Sequence, residues 1–424
     1  MTFSRFFYSV SIYLLSPIIL LRLLYRALRA PAYARRWRER FGFVAQTNGG
    51  KTIWLHSVSV GETLAAVPLV KALQQRYPDY RLTVTCMTPT GSERIQAAFG
   101  DSVDHYYAPY DMPDSVALFL NRVRPELLLI METELWPNTI AACSSRSIPV
   151  ILANGRLSAK SAAAYGKIPR LVGSMLRSIS AVVAQHDDDG NRFARLGLPP
   201  EALTISGNIK FDLHLDSEVR AKAQSLTTEW QGENQRPVLL AASTHAGEDE
   251  LILQAYGQIK AALSVAPLLV LVPRHPERFN QVAQLCEQAG FVVARRSTGE
   301  PTAPADILLG DTMGELMSFY GACDLAFVGG SLVPTGGHNM IEAAAWGVPV
   351  VTGPHLFNFA EASRLLIEGD AMIVCEDADS LAEQCIGLFA NRQRCTQMGD
   401  AAHRIAEANR GALDRLLAVI DHRL

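Results

Sequence analysis

The sequence predicts an α/β protein of two Rossmann-like, doubly wound domains in tandem, preceded by a membrane-associated helix. Three observations lead there. Short apolar runs alternate with stretches of helical periodicity, and the runs lack the in–out alternation of a half-exposed strand, as expected for a parallel sheet covered on both faces. The chain has 424 residues, too many for one ordinary core. A polar, charged stretch poor in aromatics, 213–236, interrupts the alternation once.

The first element is apolar. Residues 6–21 read FFYSVSIYLLSPIILL, without a charge and with Pro17 inside, and seven arginines occur between Arg22 and Arg40 against one acid, Glu39. A full span wants about 20 apolar residues, so this segment is at the lower limit. No small-residue cleavage site stands out, which argues against a removed signal peptide. The arginines place the rest of the chain on the cytoplasmic side and attract anionic lipid. The competing reading is a buried core helix with a solvated basic continuation. Residues 1–40 are therefore expected to be a membrane anchor and basic segment, either spanning the bilayer or lying in its interface.

From Lys51 the order strand, loop, helix repeats. Strands are expected at 52–56, 81–86, 103–107, 127–130, 150–153, 181–184 and 203–205, giving a first domain over 41–215. Residues 216–236 are expected to be a linker. Strands at 238–242, 268–272, 291–294, 307–309, 325–328, 350–352 and 371–374 then make a second domain over 237–424, whose helical tail can pack back on the first. Two such domains would place a ligand cleft between them, facing the carboxyl ends of both sheets.

Composition excludes some classes. A net charge of −3 offers no global basic surface for nucleic acid. The seven cysteines stand singly and none forms CxxC, the usage of a reduced, cytosolic protein with buried thiols.

Chemistry concentrates at strand ends. In the first half Glu62 comes after the first strand (SVSVGE), Glu132 after the fourth (METELWPN) and Lys210 after the last (SGNIKFD). Each alone reads as a helix-start or surface residue. Three of them on one edge of one sheet make a constellation. In the second half Ser243-Thr244-His245 comes after one strand, Pro273 and Arg274 after the next, and Met313, Gly314 and Glu315 open a helix. Arg274 suits a phosphate, because its fork matches phosphate oxygens; a surface ion pair is the plain alternative. The run Asp187-Asp188-Asp189 invites a divalent metal, but it precedes a helical stretch, where acids favour the helix dipole.

Residues 327–354 read FVGGSLVPTGGHNMIEAAAWGVPVVTGP. Glycines there let backbone approach a ligand and offer N–H groups free of side chains. Asn339 is expected to cap the helix that opens there, with Glu342 one turn in, placed for a ribose diol. The alternative is a capping box of the two between strands.

Six ordered motifs (SVSVGE, METELWPN, GNIKFD, VPRHPERF, MGEL and the GGSLVPTGGHNMIEAAAWGVPVVTGP block) together resemble the 3-deoxy-D-manno-octulosonic acid (Kdo) transferase family of Gram-negative bacteria. The resemblance runs from the N-terminal segment to the last helix; the final block is shared more loosely by other two-domain glycosyltransferases. It implies a B-type glycosyltransferase fold, CMP-Kdo as donor, and the lipid A precursor lipid IVA as acceptor at the cytoplasmic face of the inner membrane. With cationic side chains near the phosphate and no convincing carboxylate cluster there, no metal is expected, and no cofactor beyond the donor. By motif, Glu62 corresponds to the catalytic base, and Glu132 and Lys210 to transition-state-stabilising positions. Pro273, Arg274, Met313, Gly314, Glu315, Asn339 and Glu342 correspond to CMP-binding positions. Two other readings stand beside it: a two-domain UDP-sugar transferase or epimerase, which has no use for the anchor, and a membrane-bound nucleotide-binding protein without turnover.

Overall fold

The computed structural model describes residues 3–29, 31–47, 49–58, 60–213, 215–232 and 234–424. Met1 and Thr2 of the expected anchor and Ser59 of SVSVGE lie outside the described residues. The chain forms two compact units: Met1–Asp212 with Asn409–Leu424, and Leu213–Ala408.

In the first unit the strands are β1 (Lys51–His56), β2 (Tyr80–Cys86), β3 (Asp104–Tyr107), β4 (Leu127–Met131), β5 (Val150–Gly155), β6 (Ala181–Ala184) and β7 (Leu203–Ile205). All pair in parallel, in the order β3-β2-β1-β4-β5-β6-β7. Strand β4, LLLIM, is buried throughout. Its Leu127, Leu129 and Met131 join the core on one face and Leu128 and Ile130 the core on the other. Successive side chains point to opposite faces and both faces are covered, so the sequence shows an apolar run rather than alternation. The C-terminal helix Ala412–Asp421 buries Leu416, Leu417 and Ile420 in the first of these cores.

The second unit has β8 (Val238–Thr244), β9 (Leu268–Pro273), β10 (Val293–Arg295), β11 (Ile307–Leu309), β12 (Leu325–Val328), β13 (Val350–Thr352) and β14 (Met372–Val374), parallel in the order β10-β11-β9-β8-β12-β13-β14. Each expected strand is present, with edges moved by at most two residues. The strand order leaves a switch point at β1/β4 in the first sheet and at β8/β12 in the second, where β10 also lies outside β11. Loops at such a switch point diverge and leave a crevice at the carboxyl ends of the strands.

Two segments differ from expectation. Part of 216–236 is not a bare linker: Ser217–Gln231 is a helix of the second unit, capped by Asp216, with Leu226 and Trp230 buried and the Trp230 ring 5.2 Å from Phe319. Few residues of that helix are apolar, so its sequence reads as a bridge. The basic segment is also not all surface. Arg40 is only 2% exposed and stacks over Tyr107 at 4.2 Å, while Arg36 donates to His105 O at 2.6 Å. Glu39 accepts the Tyr107 N–H at 2.8 Å. The first unit's fold thus begins before residue 41, and only Arg22, Arg26, Arg35 and Arg38 among the described arginine side chains of this cluster are exposed.

The apolar segment is a helix, Phe3–Arg29, which runs through Pro17. Pro17 has no N–H for the Tyr13 carbonyl, and the Ser16 hydroxyl supplies the missing donor at 2.7 Å. Leu14, Leu15, Ile18, Leu21 and Leu24 are exposed. Three polar contacts tie the helix to the first unit: Tyr8 OH to Asp111 (3.0 Å), Ser9 Oγ to Asn138 (3.0 Å) and Tyr13 OH to Asp114 (2.7 Å).

Candidate active site

Glu62 sits in the first turn of the helix Val60–Arg76, directly after β1. It is 7% exposed, and its Oε2 accepts the Val58 N–H at 2.8 Å. Glu132 comes directly after β4, the neighbour of β1. Its φ of 55° lies in the left-handed region, which turns the chain sharply out of the strand while its N–H still donates to Ala153 O at 2.9 Å. Lys210 occupies the short turn Ile209–Phe211 after β7, where the Asn208 side chain accepts its backbone N–H at 3.0 Å. The Lys210 ammonium reaches Glu132 Oε1 at 2.7 Å, with both side chains mostly buried. The structure therefore pairs two of the three expected residues and sets the third on the adjoining strand end. Burial pushes the Glu134 carboxyl up, and the Glu132 charge adds to the shift.

In the second unit the expected residues sort into two groups. Arg274 comes directly after β9; its N–H donates to Thr244 O at 3.0 Å, while its side chain is exposed and donates to no acceptor among the described residues. Around it stand three imidazoles. His245 and His338 approach Nε2 to Nε2 at 2.7 Å, so one donates and the other accepts, and the His275 ring crosses His245 at 5.3 Å between centroids. Burial lowers His245 and pushes His338 down to about 4, the latter helped by His245, Arg274 and His275. Both stay neutral at pH 7. Glu342, largely buried, accepts from Asn339 Nδ2 at 3.1 Å; burial raises its carboxyl, and Asn339 and the Arg274 charge pull it back.

The second group is Met313-Gly314-Glu315. Met313 is 66% exposed and Gly314 has φ 82°, and neither backbone N–H has an acceptor among the described residues. The Glu315 carboxylate is already engaged by Arg296 (3.1 Å), Lys222 (2.9 Å) and the Thr312 hydroxyl. Burial works to raise it, but these partners outweigh burial and hold it at about 2. Of this group the main chain is free for a ligand and the carboxylate is not.

Two expectations for 327–354 are corrected. Asn339 is not the cap: the helix is Ile341–Ala345 with Met340 at its start, and Asn339 Oδ1 accepts the Ile341 N–H at 3.2 Å from one residue earlier. Nor are the N–H groups of Gly330, Ser331 and Leu332 free. Glu248, wholly buried, accepts from Gly330 (2.7 Å), Ser331 (2.9 Å), Leu332 (2.9 Å) and His245 (3.1 Å). A Cβ on Gly329 would lie 2.9 Å from that carboxylate and 2.7 Å from Ser243 O. This glycine admits a buried acid rather than a ligand. The Arg274 guanidinium, by contrast, is unengaged among the described residues.

The acidic run opens a helix. Asp187–Arg195 is a helix, and Asp189 Oδ1 accepts the Leu157 N–H at 2.8 Å and pairs with Arg192. No cluster of three or more potential metal ligands occurs among the described residues.

Comparison with known proteins settles the family. A family model described as 3-deoxy-D-manno-octulosonic-acid transferase (kdotransferase) matches residues 35–213. The chain is 47% identical over 422 residues to the 3-deoxy-D-manno-octulosonic acid transferase of Haemophilus influenzae, covering 98% of each chain. The chain belongs to the Kdo transferase family. The Bordetella pertussis 3-deoxy-D-manno-octulosonic acid transferase is 37% identical, again over 98% of each chain. Among solved structures, Acinetobacter baumannii MurG matches with a TM-score of 0.55 at 13% identity, covering 88% of this chain and 100% of that one. The likeness to MurG is one of fold, and this Kdo transferase has the B-type glycosyltransferase architecture.

Sequence reasoning missed Glu248 and the polar residues that seat Lys210: Asn154, Gln185, Asn208 and Asn409, all buried. The signal for Glu248 was its place, three residues past a strand-end histidine. Asn208 stands inside a motif already singled out, two residues before the lysine.

Proposed function

We propose that this Kdo transferase moves Kdo from CMP-Kdo to the lipid A precursor lipid IVA in lipopolysaccharide biosynthesis, without a metal ion, at the cytoplasmic face of the inner membrane. The observation that carries the reading is the Lys210–Glu132 pair at 2.7 Å, on the same sheet edge as Glu62. Three residues distant in sequence converge where transfer chemistry needs a base and a fixed charge.

The acceptor hydroxyl oxygen attacks the anomeric carbon of Kdo as the bond from that carbon to the CMP phosphate breaks. CMP leaves with the bonding electrons, and the hydroxyl proton passes to Glu62. Positive charge develops on the sugar beside its own carboxylate. Lys210, oriented by Glu132, stabilises the charges that change in this step. CMP is held in the second unit: Arg274 takes the phosphate, the free N–H groups of Met313 and Gly314 take polar atoms of the nucleotide, and Glu342 with Asn339 takes the ribose hydroxyls. Pro273 ends β9 and fixes where Arg274 leaves the sheet.

The N-terminal helix brings this chemistry to a lipid acceptor. Tyr8, Ser9 and Tyr13 are bound to the first unit, so only residues 14–29 extend beyond that contact. At about 1.5 Å per residue they reach roughly 24 Å, short of a hydrocarbon core of about 30 Å. This favours a helix lying in the interface, with Arg22, Arg26, Arg35 and Arg38 toward anionic headgroups.

Incubating the purified full chain with CMP-Kdo and lipid IVA, then weighing the lipid, tests the proposal. The expected product is heavier by whole Kdo units, with CMP released. No transfer, together with thermal stabilisation by UDP and not by CMP, would move the chain to a different donor.

A further inference from the structure

We infer that Asn208 is a positioning residue for Kdo transfer, and that the C-terminal segment, through Asn409, completes the seat of Lys210. The inference rests on the role proposed above for the Lys210–Glu132 pair. Every polar atom of Asn208 is spent. Its N–H donates to Asn409 Oδ1 (2.9 Å), and its Nδ2 donates to Gln185 Oε1 (3.2 Å). Its Oδ1 accepts the Lys210 N–H (3.0 Å) and Asn154 Nδ2 (3.3 Å), and its carbonyl accepts the Phe211 N–H (3.0 Å).

The neighbours close the ring. Asn154 Oδ1 accepts the Ile209 N–H at 3.1 Å, and its carbonyl accepts from Gln185 Nε2 at 3.0 Å. Asn154 itself has φ 54°, a conformation asparagine tolerates better than most residues. Asn409 comes from the far end of the chain. A Cβ on Gly207, whose φ is 86°, would lie 3.1 Å from the Asn409 backbone, so that segment is fitted against the turn.

Buried side-chain amides are a poor way to gain stability, because each polar atom must first be desolvated. A fully satisfied network instead selects one geometry. Here it holds consecutive N–H groups, those of Ile209 and Lys210, in a short turn whose charged side chain is Lys210. A lysine has four rotatable bonds, and its reach to Glu132 depends on where the backbone starts. Misplacing a reacting group by about 1 Å costs about 10² in rate. The network sets that starting point with residues from four separate segments, so its effect on catalysis runs through Lys210 alone.

The test is a double-mutant cycle in the full chain with Asn208→Ala, Lys210→Ala and the pair, reading kcat, acceptor KM, CMP affinity and melting temperature. Asn208→Ala should lower kcat by about 10² and leave CMP affinity unchanged. Asn208→Ser, which keeps an acceptor for the Lys210 N–H, should recover part of the loss. In the Lys210→Ala background, Asn208→Ala should cost less than about threefold, because the group it positions is gone. Asn409→Ala should repeat the pattern with a smaller loss. Full additivity in the double mutant, or a lowered melting temperature with intact kcat, would overturn the inference. Should Asn208→Ala fail to fold, Asn208→Ser and Asn409→Ala decide it in the same cycle. Intact kcat in Lys210→Ala defeats the proposed role of the pair itself. Loss in Lys210→Ala with intact kcat in Asn208→Ala and Asn409→Ala defeats only the positioning.

Discussion

The carboxyl edges of the two sheets share an all-parallel build, though not the same strand order, and are furnished in opposite ways. In the first unit the charged groups are already paired: Lys210 with Glu132, and Glu62 with the Val58 N–H, above a network of buried amides. In the second unit the carboxylates are satisfied inward, Glu248 by four backbone N–H groups and Glu315 by Lys222, Arg296 and Thr312. The Arg274 side chain and the N–H groups of Met313 and Gly314 have no partner among the described residues. A charge that must act in a transition state benefits from being fixed before the substrate arrives. A group that must grip an anionic leaving group benefits from having no internal partner to give up. The difference supports the proposal that chemistry belongs to the first edge and nucleotide binding to the second.

The strongest way to break that division is Glu62→Gln. The amide keeps size and an acceptor for the Val58 N–H, so the helix start should form and the melting temperature should move by a few degrees at most. Transfer should fall by about 10² to 10⁴, the usual worth of a positioned base, with CMP affinity unchanged. Near-wild-type turnover, measured with CMP affinity on the same preparation, would return Glu62 to a capping role and leave Glu132 as the base to test.

The next effect concerns stability. His56, at the end of β1, is buried and pushed down to about 4 by desolvation, with Nδ1 3.0 Å from Thr85 Oγ1. Its folded value lies below its unfolded value near 6.5, so below pH 6.5 the unfolded chain takes up a proton that the folded chain refuses. Stability should therefore fall as pH drops from 6.5 toward 4, by up to about 3 kcal/mol from this group. Denaturant titrations at pH 7 and 4.5 check it: His56→Gln should lose this share of the pH dependence, and equal slopes in both proteins would refute it. On the nucleotide side, Arg274→Ala removes an unengaged cation rather than a structural partner. It should weaken CMP binding by about 10- to 100-fold, the worth of a charged hydrogen bond, without lowering the melting temperature of the unliganded protein. Calorimetry that finds CMP affinity intact would move the phosphate elsewhere.

Much of this was legible in the sequence, and for identifiable reasons. The central strands showed because a doubly covered parallel strand is an unbroken apolar run such as LLLIM at 127–131, and edge strands such as DHYY at 104–107 by their place in the alternation of strand and helix. Glu62, Glu132 and Lys210 showed because each comes just after such a run. The parts that did not show depend on partners far away in the chain. Asn208 and Asn409 are 201 residues apart, and Glu248 is 82 from Gly330. An asparagine after a strand, or a glutamate just before a helix, has a local use that explains it fully. Nothing nearby reveals that these are buried and spent on remote backbone. The same ambiguity hid Arg40, which reads as one more basic residue in a lipid-facing run and in fact lies over Tyr107 in the first unit's interior.

The smallest expected effect belongs to Asp188, and it sharpens the division by asking whether a metal does the work assigned to Arg274. Asp187-Asp188-Asp189 has the look of a metal-binding run. Asp189 is committed to the Leu157 N–H and Arg192, so it cannot turn outward without leaving a buried donor unpaired. The Asp188 side chain is 81% exposed and meets Arg192 at 3.3 Å. An exposed pair of this kind within one helix is worth about 0.3 to 0.5 kcal/mol. If the run is only a helix start, Asp188→Asn should shift stability by no more than that and change transfer less than about twofold, and both proteins should turn over equally in EDTA. Asp189→Asn, by contrast, should lower the melting temperature, because a buried acceptor for Arg192 loses its charge. Suppose instead that chelator abolishes transfer, magnesium or manganese restores it, and Asp188→Asn raises the metal concentration needed. The run would then be a metal site on the first unit, and the positive charge for the leaving phosphate would no longer belong to the second unit alone.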